Sequence, residues 1–412
     1  MTTARMASGA VALGRAPALE MPYESALERI AAVVCSLAIA SVPIFSTAEN
    51  LSFIPQAFAV LGTGLALTTL LKRIPGVHLS MVSYAVLVLF WSITLLSDPE
   101  VWPEYLTLIK VCVLALACHI VFRSKDRLLL LFGTYCASGL VTLGMNWRQI
   151  RALGTSMAGS SLSEKDRFAG TFDNANDAGI YGVMLMLGAC IVFFNCRKWW
   201  RWPLAAIGLG AGLAICFFSG SRKAMLGLGC LILAVPWMAA GQGGMRRWRP
   251  VKMAVLLALM AVLGGLLFSR LPFVDRLLEP FSRGIASDSS SELRFAMLTR
   301  VFELWAAHPL FGCGFEGFSR LSEFGVYSHT TFGEVLCNAG LVGMALLAVF
   351  YFLPGLQLFR MRRLGGGFSV GLLTFWAIFT IFSIFAVLFD SREFVPMYAG
   401  ICGYLQERTG MT

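Results

Sequence analysis

FFSGSRKAMLG, residues 217–227, sets an adjacent arginine and lysine between two apolar runs. On one side stands PLAAIGLGAGLAICFF and on the other AMLGLGCLILAVPWMAA, neither with a charge. A cation this close to hydrocarbon is costly. It is kept either to orient the neighbouring spans or to do chemistry. The rest of the chain decides between the two.

The same alternation runs along the whole sequence. Of 412 residues, 57% are hydrophobic and only 14% are charged. The apolar residues fall in blocks of about 16 to 24, the length that crosses a bilayer as helix. A large soluble enzyme is excluded, because a soluble core is not written as uninterrupted blocks. The fold class expected is an all-α polytopic membrane protein with about twelve spans. They are placed at 28–45, 51–71, 77–96, 104–122, 128–147, 177–195, 203–218, 223–241, 251–268, 332–353, 366–389 and 394–406.

The net charge of +10 does not point to nucleic acid, because the cations sit in short loops. Every second loop is basic: Lys72 and Arg73, then Arg123, Lys125 and Arg127, then Arg197, Lys198 and Arg201, then Arg246, Arg247, Arg249 and Lys252, then Arg360, Arg362 and Arg363. The alternate loops 46–50 and 97–103 carry no Lys or Arg. That asymmetry puts both termini in the cytoplasm. The expected organisation is a cytoplasmic tail over 1–27, spans one to nine over 28–268, an outer loop domain over 269–331, and the last three spans with a short tail over 332–412. The first 25 residues lack a long apolar region before a cleavage site, so they read as tail and not as signal peptide. The eleven Cys are scattered, without a C-x-x-C, and read as small hydrophobes.

Topology then isolates the interesting cations. Arg167, Arg222, Arg294 and Arg392 lie on the outer side, where orientation does not call for them. Arg222 and Lys223 open a helix whose free N–H groups face outward, with Ser219 or Ser221 as cap. That makes an anion site at the membrane surface. The plainer alternative is an arginine snorkelling at a helix end. SELRFAMLTRVFELWAAHP, from Ser291, reads as an amphipathic helix in the outer loop. Glu292, Thr299 and Glu303 share one face, and Arg294 lies opposite with Met297, Leu298, Val301 and Trp305. An arginine in an apolar stripe needs an anionic partner: a ligand, or a carboxylate such as Asp390 or Glu334. His329 stands where the outer loop re-enters the membrane, as a base or as a structural hydrogen-bonder. His78 and His119 lie at cytoplasmic ends with no evident partner, and His308 beside Pro309 reads as a helix stop. In RFAGTFDNANDAGIYG, Asn174 or Asp177 can cap the next span, and Asn176 can donate to an oxygen-rich ligand; the plainer alternative is a good helix start. GCGFEG, 312–317, matches a dinucleotide pattern in letters only. No strand precedes it, so its glycines mark a tight turn approaching a neighbour or a ligand.

Two guanidinium groups on the outer face suit a diphosphate near the headgroups. A diphosphate is a good leaving group, so what chemistry remains is activation of an attacking hydroxyl by a neutral histidine. The order SGSRKA, R-x-x-x-L-x-x-x-F, HPLFGCGFEGF, SHTTFGEVLCNAGLVG resembles the O-antigen ligase and O-antigen polymerase superfamily, in detail over about residues 165 to 345. The resemblance implies a metal-independent GT-C-type glycosyltransferase of the bacterial inner membrane. Its site faces the periplasm, with a long periplasmic loop of amphipathic helices between spans nine and ten. It implies an undecaprenyl-diphosphate-linked glycan as donor and no cofactor, neither metal nor ATP. Its essential residues match Arg222, Arg294 and His329 as the catalytic set. Lys223, Arg167, Asn174, Asn176, Ser219, Ser221, Glu334 and Arg392 are the substrate-binding candidates. A ligase would take lipid A-core as acceptor, and this is the leading expectation. A polymerase of O-antigen or exopolysaccharide would join one lipid-linked repeat to another with the same residues. A transporter or lipid-linked glycan flippase is the rival of another class. No long central cytoplasmic loop and no two-fold repeat support it.

Overall fold

The computed structural model describes residues 26–45, 51–70, 76–95, 99–156, 168–172, 174–240, 289–362 and 366–410. Among them all regular structure is helical. In chain order the helices are α1 Ala26–Phe45, α2 Phe53–Leu70, α3 Leu79–Leu95, α4 Trp102–Val121, α5 Lys125–Met145, α6 Trp147–Ser156, α7 Ala175–Asn195, α8 Arg201–Ser219, α9 Arg222–Ala240, α10 Ser289–Ala307, α11 Gly317–Leu321, α12 Thr331–Met361, α13 Gly367–Phe385 and α14 Phe394–Thr409. Nine of these, α1, α2, α4, α5, α7, α8, α9, α12 and α13, are long and apolar enough to cross a membrane. Eleven of the twelve expected spans coincide with described helices, although α3 and α14 are shorter than that measure. The expected span 251–268 lies outside the described residues, as does the part of the outer loop before Ser289.

The bundle is organised around α7. It is apolar on every side, as a helix must be when neighbours surround it. Residues Ala178 to Val192 are all buried, and α5, α8, α9 and α13 pack against it. Its closest approach is to α8. A Cβ on Gly212 would come within 2.5 Å of the Gly182 carbonyl oxygen, so only glycine lets the two backbones meet. Lipid-facing surfaces show the opposite pattern. On α3, Leu79, Val82, Val86, Leu89 and Ile93 are exposed at helical spacing while Tyr84, Leu87 and Trp91 turn inward.

The basic loops among the described residues gather at one end. There Arg127 pairs with Glu28 at 2.7 Å and Arg123 with Glu407 at 3.4 Å. His78 and His119, expected to lack partners, are built into the same end. His78 is buried and its ring nitrogens lie 2.7 Å from Ser80 Oγ and 2.7 Å from Gln357 Oε1. His119 Nε2 accepts from the His78 N–H. Those partners come from α3, α4 and α12, which no local pattern brings together.

Candidate active site

The opposite end collects the N-termini of α7, α9 and α12 and the C-termini of α8 and α13. The SGSRKA stretch is the turn between α8 and α9, with Gly220 in the left-handed region. Ser219 and Ser221 are fully buried. Ser221 Oγ accepts from the Ala224 N–H and donates to Asn176 Oδ1, so the serine both caps α9 and ties it to α7. Asn174 caps α7: its Oδ1 accepts from the N–H groups of Asn176 and Asp177, and its Nδ2 donates to Asp177 Oδ2 at 2.6 Å. Asn174, Asn176, Ser219 and Ser221 thus make hydrogen bonds within the fold and frame the site.

The two cations that follow differ. Arg222 is exposed and Lys223 is buried. The Lys223 charge acts on Arg294 and on Asp177. Arg294 belongs to α10, whose Met297 and Val301 are buried against Phe318 and Cys337. That is the face on which the helical wheel places Arg294. Arg294 itself is exposed, not buried among them as an apolar stripe would have it, because only Met297 and Val301 of that face pack inward; its charge acts on His329.

His329 sits in the left-handed region, with φ of 60°, a conformation that non-glycine residues adopt where the surroundings impose it. The imposing contacts are identifiable. Buried Glu334 accepts the Ser328 N–H at 2.8 Å, and its other oxygen accepts from Asn338 Nδ2 at 2.9 Å. Asn338 Oδ1 in turn accepts the Phe318 N–H. On the other flank Thr331 donates twice to the Ala386 carbonyl and accepts the Leu388 N–H. Tyr327 lies edge-on to the imidazole at 4.6 Å. Burial first, then the charges of Lys223 and Arg294, push His329 down to about 4. The ring is therefore neutral at physiological pH, with two cations facing it.

The glycine-rich stretch has a precise task. Helix α12 is broken at Gly340, with φ of 60° and ψ of −155°. Into the break docks the segment after α10. Leu341 and Val342 donate to the carbonyls of Pro309 and Leu310, and Cys313 and Gly314 donate to those of Cys337 and Asn338. These four bonds satisfy helix groups that the break would otherwise orphan. A Cβ on Gly312 would stand 2.4 Å from the Ala339 nitrogen, so the turn meets a neighbour's backbone.

The structure brings Lys223, Arg294 and His329 together. Arg222 is at the same helix start and exposed. Glu334 lies beneath the His329 loop and not beside Arg294. Arg392 is exposed, next to Asp390, on which its charge acts. Arg167 lies outside the described residues. Sequence reasoning passed over Glu393, whose burial nothing in the local pattern signals. Among the described residues no group of three or more His, Cys, Asp or Glu is arranged to hold a metal ion. Residues 207–348 match the family model described as O-antigen ligase, a stretch that runs from α8 into α12 and holds Lys223, Arg294 and His329. No curated protein matches the chain.

Proposed function

We propose that this chain, whose residues 207–348 match the family model described as O-antigen ligase, transfers a glycan from undecaprenyl diphosphate to a sugar hydroxyl of lipid A-core on the periplasmic side of the inner membrane. The observation that carries the reading is the convergence of a neutral histidine with two cations at the mouth of the bundle. The N-termini of α7, α9 and α12 add their partial positive charge at the same end. Lys223 and Arg294, with Arg222 on the first turn of α9, hold the diphosphate. His329 takes the proton from the acceptor hydroxyl. The hydroxyl oxygen bonds to the anomeric carbon, and the bond to the diphosphate oxygen breaks with its electron pair leaving on that oxygen. The cations stabilise the charge that gathers there, so no general acid and no metal ion is called for.

Neutral His329 fits this role because a base must arrive unprotonated, and the cations that depress its basicity are those that hold the leaving group. Once the diphosphate binds, its negative charge offsets them and the imidazole becomes a better proton acceptor. The test is the surface and lipid-linked glycan of a strain lacking the gene, resolved by size. Long chains stranded on undecaprenyl diphosphate beside bare lipid A-core are expected. Core capped with one repeat would mean a polymerase instead. Unchanged pools would overturn the assignment.

A further inference from the structure

Two of the eleven cysteines meet where the segment after α10 docks into α12. The Cys313 N–H donates to the Cys337 carbonyl at 2.8 Å. A backbone bond of that length holds the two Cα atoms about 5–6 Å apart, and a disulfide spans Cα atoms roughly 4.4–6.8 Å apart. The Cys313 side chain faces α12. It packs on the small core of Met297, Val301, Phe318 and Cys337, and a Cβ on Gly317 would stand 2.7 Å from its Cβ and 3.3 Å from Asn338 Oδ1. The two thiols are hydrogen-bonded to each other. Both are free thiols here, Cys337 buried and Cys313 half-buried.

We infer that Cys313 and Cys337 are joined by a disulfide in the native membrane, closing a ring over residues 313–337 that carries α11, His329 and Glu334. The inference rests on the proposed function, which puts this end of the bundle in the periplasm, where disulfides form and persist. The oxidant is a disulfide-bearing oxidoreductase of that compartment. Cys313, the more accessible of the two, attacks one sulfur of that disulfide as thiolate and releases the other as a thiolate. Cys337 then gives up its proton and attacks Cys313 Sγ, and the second oxidant sulfur leaves. Two thiols have lost two electrons and two protons, and the oxidant disulfide has become two thiols. Burial raises the Cys313 thiol more than its bond with Cys337 lowers it. Capture is therefore slow, which suits a bond made once and not a rapid switch. The bond adds a covalent tie to the hydrogen bonds that dock 309–314 at the break in α12.

Mass mapping of the full chain tests the bond without turnover. Membranes are quenched with N-ethylmaleimide in denaturant before purification and digestion. A peptide pair joined through Cys313 and Cys337, and released by reductant, is expected. A second sample, reduced as folded protein and then held in glutathione disulfide, separates two ways of failing. Alkylated thiols in the first sample with a joined pair in the second would overturn the native bond through its compartment, and would count against the periplasmic placement in the proposed function. Alkylated thiols in both would overturn the pairing itself and leave the proposed function standing. Reductant should also lower the Tm of the wild type by on the order of 5 °C and leave that of Cys313→Ser unmoved. No fall in the wild type, or an equal fall in both, would overturn the covalent tie.

Discussion

Removing the charge of Lys223 should make His329 more basic, and the direction and size of the change follow from the site. The imidazole stands at about 4 against an ordinary 6.5, with burial as the first cause and Lys223 and Arg294 after it. The displacement corresponds to about 3 kcal/mol against the imidazolium, before screening by solvent at this half-buried position. Because the shift is downward, the neutral form persists as pH falls through 6.5 and is lost only as pH falls through about 4. In Lys223→Met one of the two cations is gone and burial remains. The midpoint should rise by about one pH unit, the lower end of what a nearby charge produces. Nitrogen-15 spectra of histidine-labelled protein read this directly, since the chain has four histidines and His329→Gln identifies the signal. If transfer proceeds as proposed, the acid limb of kcat/KM should move with the midpoint. A wild-type midpoint near 6.5 would refute the burial and the facing cations together. An unmoved midpoint in Lys223→Met would show that Lys223 does not face His329.

Other outcomes are expected. Arg222→Ala and Arg294→Ala should each lower transfer by roughly 10²–10³-fold at unchanged expression, the usual loss when a charge-stabilising donor is removed; near wild-type turnover in either would take that cation out of the diphosphate site. Gly312→Ala should lower the Tm of the detergent-purified protein. The left-handed backbone alone costs alanine about 1–2 kcal/mol, and its methyl would also meet the Ala339 nitrogen at 2.4 Å; an unchanged Tm would mean the turn does not dock as described. Transfer should survive a chelator, and strict dependence on an added divalent ion would refute the metal-free mechanism.

How far the sequence foretold this molecule depends on the range over which each feature is encoded. Span-length apolar runs declare helices locally, and described helices coincide with all but one of the predicted spans. The wheel for α10 placed Arg294 with Met297, Leu298, Val301 and Trp305; Met297 and Val301 are buried, but Leu298 and Arg294 itself are exposed, because the packed stripe is narrower than the wheel's apolar face. The choice between Arg222 and Lys223 was not legible. Adjacent helical residues point about 100° apart, and only the packing of α9 on α7 decides which turns inward. The partners of His78 and His119 were hidden for a similar reason: Gln357 is 279 residues from His78. The break in α12 was hidden by its own apolar sequence. CNAGLVG reads as continuous helix, and the groups that replace its lost bonds come from 309–314. Glu393 passed unnoticed because a glutamate beside an arginine at a helix start looks like surface.

The docking of 309–314 into α12 has a mechanical consequence. With α10 clamped to α12 at the break, and Val301 seated beneath the first turn, Arg294 and His329 ride on one stiff arm. Lys223 is anchored on the α7–α8–α9 wedge stitched by Ser221 and Asn176. Helix α13 packs against α7, α9 and α12, so it ties wedge and arm into one frame. The spacing of Lys223 from Arg294 and His329 is therefore set by helix packing far from the site's own loops.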